Sequence, residues 1–232
     1  MRDKDIIKAA YDVVAGTYAQ VVQVPGGAGG PERDTDLALI RKFTALLPAG
    51  AEVLDAGCGT GRMITYLDTL AQGNEQPLVI QGCDLSEGMA AIARNVHPNR
   101  RILAADLAAL PYAPRSFHGL LAWYSIIHAP PEELAGIFGE FRRVLRPGGV
   151  LLLGFQAGSG RRRITNAYGH SVEMTACLHA VPEVLAALQR VGFQEVASLD
   201  RSPEGAEGNR QGFVLAELES SPWPGGSAAS AG

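Results

Sequence analysis

The stretch Val53-Leu54-Asp55-Ala56-Gly57-Cys58-Gly59-Thr60-Gly61-Arg62 decides the fold. An apolar run ends in an acid, three glycines alternate, and a helix-compatible segment follows. That is a strand, a tight turn and a helix, and glycines at such a turn let backbone approach a ligand with no Cβ in the way. About 23 residues past Gly61, Leu78-Val79-Ile80 leads through Gln81-Gly82-Cys83 to Asp84. A carboxylate at the end of that second run can accept hydrogen bonds from both hydroxyls of a ribose. Together the two features point to a nucleoside-type cofactor.

The glycine spacing separates two such cofactors. Dinucleotide sites read G-x-G-x-x-G, whereas here Gly57, Gly59 and Gly61 alternate and Asp55 stands two residues ahead. Asp55 would repel a pyrophosphate but could take the α-ammonium of an amino-acid-like ligand, directly or through water. This favours S-adenosylmethionine (SAM) over NAD. Taken alone, the glycine triplet is weak evidence, since a ligand-free turn can carry it too.

At these residues the chain resembles the class I SAM-dependent methyltransferases, in particular the small-molecule group with a D-x-G-x-G-x-G signature. Cys83-Asp84-Leu85-Ser86-Glu87-Gly88-Met89 is similar to the family's second motif. Ala104-Ala105-Asp106-Leu107 with Leu110-Pro111-Tyr112 looks like its third, and Ser116–Ala122 like its fourth strand. Arg142–Gly149 is similar to the helix end and turn before its fifth strand. The matching segments follow the family's order from about residue 50 to 155. The resemblance implies an α/β, Rossmann-like fold: seven strands, mostly parallel, helices on both faces and an antiparallel last strand. It also implies a cofactor set of Asp55, Gly57, Gly59, Gly61, Asp84, Met89, Asp106 and Leu107. Asp84 would hold the ribose diol, Met89 would cover the adenine, and Asp106 with the Leu107 backbone would meet its edge. S-adenosylhomocysteine (SAH) would be the product.

Composition narrows the partners. A chain of 232 residues, 47% hydrophobic, can bury one sizeable core. Its net charge of −4 argues against a nucleic-acid backbone as main partner. No uncharged apolar run approaches the roughly 18 residues of a membrane span, and the charged Met1–Asp5 segment lacks a signal-peptide core. Cys58, Cys83 and Cys177 form neither a disulfide framework nor a zinc-type pair. The expectation is a cytoplasmic protein, from a GC-rich bacterial genome by its Ala, Gly and Arg usage. It would act on a small molecule, with a homodimer left open.

Apolar spacing places a helix over 4–22, interrupted near Gly16, and another over 34–47, with a flexible glycine loop between. From residue 52 strands and helices alternate, with a helix over 131–145 among them, as a parallel sheet with crossover helices requires. Strand-like pieces at 171–178 precede a helix at 182–191, and Phe193–Leu199 with Gln211–Leu218 close as a hairpin. The organisation is a helical cap over 1–48 within one domain, a core over 49–219 and a disordered tail over 220–232.

Substrate chemistry should lie beyond the carboxyl ends of the strands. There Trp123, Tyr124 and His128 follow the fourth strand. His128 is the candidate general base because imidazole titrates near neutrality, though it could equally cap the next helix. Gln156, Tyr168, His170 and His179 follow the fifth strand, as pocket or surface residues. Tyr11 and Tyr18, seven apart, share one helical face, which suits a closing helix or plain core packing. Arg161-Arg162-Arg163 reads as a solvated loop more readily than as an anion site. The spacing of these groups matches no compact metal motif, so no metal is expected. A SAM-binding enzyme that does not methylate, or a non-catalytic SAM-binding subunit, are the alternatives the motifs leave open.

Overall fold

The computed structural model describes residues 3–26 and 30–220. The expected disordered tail therefore falls, from Ser221 on, outside the described residues. Seven strands form the central sheet: β1 (Glu52–Ala56), β2 (Val79–Asp84), β3 (Ile102–Ala104), β4 (Phe117–Trp123), β5 (Leu145–Ala157), β8 (Phe193–Arg201) and β9 (Arg210–Leu218). Their order is β3-β2-β1-β4-β5-β9-β8. The first five run parallel, and β9 inserts antiparallel between β5 and β8. The strand order reverses direction between β1 and β4, which opens a crevice at their carboxyl ends, where such sheets bind ligands.

Both faces of the sheet are covered, so its inner strands are apolar throughout rather than alternating. Leu54, Leu120, Leu151 and Phe155 pack on one side with Phe138 and Phe141 of α5 (Leu134–Val144) and Val184 of α6 (Val181–Arg190). Val53, Leu121, Leu152 and Phe213 pack on the other with Ile40 and Phe43 of α2 (Asp34–Ala45) and Ile64 and Leu67 of α3 (Arg62–Gly73). Neighbours such as Leu120 and Leu121 thus serve opposite layers, as the two-residue period of a strand demands.

Three sequence expectations need correction. The first helix, α1 (Asp3–Val21), runs unbroken through Gly16; a glycine in a helix interior costs about 1 kcal/mol, which packing overrides. The helix expected over 131–145 opens with a 3-10 turn at Pro131–Glu133 before α5 begins. The arginine run is not a loop. It opens β6 (Arg161–Ala167), paired antiparallel with β7 (His170–Cys177) in a hairpin outside the main sheet. Arg161 and Arg163 are tied to Glu132 and Glu173.

Candidate functional site

A cavity of about 760 Å³ opens at the crevice, within the span of about 300–1,000 Å³ usual for small-molecule sites. Its floor is the glycine turn. Gly57 (φ +85°) faces Ser125 so closely that a Cβ would stand 2.1 Å from that residue's Cβ. Any side chain there would close the floor. Gly59 offers its N–H to Asp84 Oδ2 at 2.8 Å. Asp84 Oδ1 accepts from the Ser86 N–H at 2.9 Å. Each oxygen keeps a second lone pair for a ligand. Burial raises the Asp84 pKa, against the pull of those backbone donors.

Beside Asp84, Ser86 caps the helix α4 (Glu87–Val96) by accepting from the Met89 N–H, and Met89 is buried on the cavity wall. Asp106 and Leu107 complete that end. Asp106 accepts from the Ala108 N–H and from Lys4 Nζ, the latter at 2.8 Å.

The roof comes from α1 and the β6–β7 hairpin. Ala10 and Val14 of α1 pack with Met89, Val172 and Met174. Asp12 accepts from Ser86 Oγ at 2.6 Å and from the Gly88 N–H at 2.9 Å. Tyr18 meets Tyr168 edge to face. Both line the cavity with Tyr11.

His128 lies beyond β4, between roof and floor. Its Nδ1 is 2.6 Å from the Thr175 carbonyl oxygen and its Nε2 2.8 Å from Tyr11 Oη. A carbonyl can only accept, so Nδ1 carries the proton and Nε2 presents its lone pair to the Tyr11 hydroxyl. Burial, helped by Arg162, lowers the His128 pKa, while burial holds that of Tyr11 well above its ordinary value. At neutral pH the pair is a neutral imidazole and a neutral phenol.

At the far end the expected Trp123, Tyr124 and Gln156 meet Glu32, Arg62, Asn209 and Gln211, none of these four among the sequence candidates. Tyr124, in a left-handed conformation (φ +58°), donates to Gln211 Oε1 at 2.7 Å. Asn209 donates to Gln156 Oε1. Arg62 pairs with Glu32 at 2.6 Å, and Trp123 Nε1 donates to the same carboxylate oxygen at 3.0 Å. All these side chains line the cavity.

A family model described as a methyltransferase domain matches residues 53–149. The malonyl-[acyl-carrier protein] O-methyltransferase of Pectobacterium atrosepticum is 27% identical over 218 residues, covering 88% of this chain and 79% of that protein. The chain carries a methyltransferase domain over residues 53–149, and the matches support a class I SAM-dependent methyltransferase. Magnesium protoporphyrin IX methyltransferase (ChlM) from Synechocystis PCC 6803, solved with bound SAM, matches with a TM-score of 0.66 at 19% identity, covering 94% of this chain and 98% of that one. The [4+2]-cyclase SpnF gives a TM-score of 0.67 at 18% identity, covering 94% and 97%. At such identities these likenesses speak for the fold.

The methyltransferase's sequence-derived candidates divide around its cavity. Gly57, Gly59, Asp84, Met89, Asp106, Leu107, Tyr11, Tyr18, Trp123, Tyr124, His128, Gln156 and Tyr168 all line it. Four others lie off its wall. Asp55 is fully buried under the turn, both carboxylate oxygens lacking a hydrogen-bond partner among the described residues. Gly61 (φ +85°) faces away from the cavity, where a Cβ would stand 2.8 Å from His97. His170 bonds Thr17 on α1, and buried His179 faces the Ile126 carbonyl at 3.3 Å. The last two serve packing: one ties the roof together, the other anchors the turn after β4. Among the described residues, no group of three or more His, Cys, Asp or Glu side chains is placed to hold a metal. Arg62 follows the glycine motif directly and could have been suspected; Glu32 and Asn209 sit in loops that carry no such mark.

Proposed function

We propose that this methyltransferase transfers the methyl group of SAM to an O or N nucleophile of a small molecule, with His128 as the base. SAM, when bound, supplies an already activated electrophilic methyl. The protein's task is alignment, exclusion of water and removal of a proton. The observation that carries the reading is one continuous cavity. It joins the glycine turn, Asp84 and Asp106 at one end to a neutral imidazole whose lone pair is held by the hydroxyl of Tyr11, itself on the cavity wall.

Within that cavity Asp84 holds the ribose hydroxyls on its two remaining lone pairs. Met89 and Leu107 cover the adenine, and Asp106 accepts from its amino edge. Asp55, off the wall, acts through the backbone of the turn or through water. The segment 1–48 serves as a cap, since Tyr11 and Tyr18 on α1 close the roof. Three free, buried cysteines and the bacterial origin of the relative support a bacterial, cytoplasmic enzyme. Described helices are all too short or too polar to cross a membrane.

Calorimetry with SAH tests the cofactor assignment. Wild type should bind with micromolar affinity, and Asp84→Ala should lose binding while its circular dichroism stays unchanged. Equal affinity in the variant would remove Asp84 from the site.

A further inference from the structure

We infer that the acceptor is an uncharged aromatic or enolic hydroxyl whose proton leaves through Tyr11 to His128. The inference rests on the methyl-transfer reading above and narrows it to a substrate class.

The geometry is a relay with a defined direction. Thr175 fixes the imidazole as the Nδ1–H tautomer, and Tyr11 Oη donates to Nε2 at 2.8 Å. Tyr11 lines the cavity, and its phenolic oxygen keeps lone pairs of its own. An acceptor hydroxyl placed there donates to Tyr11 as Tyr11 donates to His128. As the acceptor oxygen bonds to the methyl carbon, that carbon's bond to sulfur breaks and its electron pair goes to sulfur. The hydroxyl proton moves to Tyr11 and the tyrosyl proton to Nε2. The positive charge of the sulfonium thus ends on the imidazolium, which releases its proton to solvent.

Chemistry then selects the acceptor. A carboxylate has no proton to give at neutral pH, so a relay is idle for it. A neutral amine attacks through its lone pair before any proton must leave. For a hydroxyl the decisive quantity is acidity. Passing a proton from a phenol (pKa about 10) to an imidazole of ordinary basicity (about 6.5) is uphill by about three to four powers of ten, and by more where burial lowers the imidazole, as at His128. For an alcohol as weak as water (about 15.7) the deficit is about nine powers of ten. The relay matches the first.

Shape and charge agree. Tyr18, Tyr168, Trp123 and Tyr124 give this region aromatic walls, suited to a planar ring. Charges on the inner wall already have partners, Arg62 with Glu32 and Glu207 with Arg201. Arg162 stands exposed where the hairpin rims the cavity.

The test uses purified full-length protein, SAM and a panel of probes: para-substituted phenols of graded acidity from 4-methoxyphenol to 4-nitrophenol, 1-naphthol, benzoate and a malonyl thioester. SAH release is measured for wild type, Tyr11→Phe and His128→Ala. The phenols and naphthol should be methylated, and the two carboxylates should not. Each variant should lose about 10²–10⁴-fold in kcat on the weakest acids. That loss should shrink steadily toward 4-nitrophenol, whose proton is already partly gone at neutral pH, while SAH affinity stays within about twofold. A loss uniform across the series would overturn the relay, because a merely structural role is blind to acceptor acidity. Turnover of the carboxylates alone, or of no hydroxyl by protein that binds SAH, would overturn the substrate class. Failure to bind SAH would overturn the reading beneath it.

Discussion

Asp55 ends β1 inside the protein, and burial drives its pKa to about 7, against the opposing pull of Arg62. The linkage has a definite sign. An unfolded aspartate titrates near 3.9, so the folded state favours the protonated form. Its contribution is complete below about pH 4 and is lost as pH rises through about 7. The upper bound is on the order of 4 kcal/mol. His118, His128 and His179 have lowered pKa values, chiefly through burial, and contribute with the opposite sign on the acid side. The clean observable is therefore a difference curve. Asp55→Asn should gain thermal stability over cofactor-free wild type progressively from pH 5 to pH 8, converging with it near pH 4. A flat difference would mean that the carboxylate has found a partner, such as a buried water, to hold its charge. The motif showed an acid in this place; whether it faces ligand or core depends on how the glycine turn lies over it.

At the scale of elements, the contact of α1 with α4 decides whether the cavity has a roof. Gly88 permits that contact, for a Cβ there would stand 3.2 Å from the Cα of Asp12 and 3.3 Å from its carbonyl oxygen. These are backbone atoms, so α1 itself must yield. Gly88→Ala should speed hydrogen exchange across α1 and weaken SAH binding several-fold. The melting temperature should hold, because alanine favours α4 by up to about 1 kcal/mol. Unchanged exchange in α1 would show that the roof rests on the β6–β7 hairpin instead. Helix α1 itself was legible, since Ile7, Ala10, Val14 and Tyr18 repeat at helical spacing. The hairpin was half hidden. Strand β6 is polar and largely exposed, with Ile164 as its one large apolar residue, so no two-residue period marks it. The closing histidines stayed ambiguous for a related reason. His170 and His179 read equally as pocket or surface residues, because a side chain's direction depends on a hairpin register that spacing does not encode.

For the whole molecule, the central sheet was legible because its buried strands are unbroken apolar runs separated by helical periods. What the sequence conceals is contact between residues far apart along the chain, and Arg201 shows what such a contact does. From β8 it holds Asp36 of α2 with two bonds, Nε to Oδ1 at 2.8 Å and Nη2 to Oδ2 at 2.7 Å. It holds Glu207 with two more, at 2.6 and 2.7 Å. The Asp36 side chain is 1% exposed and that of Arg201 8%. A buried carboxylate left without its partner costs about 3–5 kcal/mol, more than a surface pair could return. At about 2–4 °C per kcal/mol for a chain of this size, Arg201→Met should lower the melting temperature by about 10 °C. Adding Asp36→Leu should recover part of that loss, because the stranded charge is then gone. Full additivity of the two costs would show that each residue acts separately. The same variants bear on function. Glu207, Gly208 and Asn209 line the cavity from the β8–β9 loop that Arg201 anchors. Arg201→Met should therefore raise the acceptor KM while leaving SAH affinity within about twofold, since the residues proposed to hold SAH sit across the sheet on β1, β2 and β3 and the turns after them. Equal loss of both would mean that the ion pair supports the fold as one body rather than the acceptor end alone.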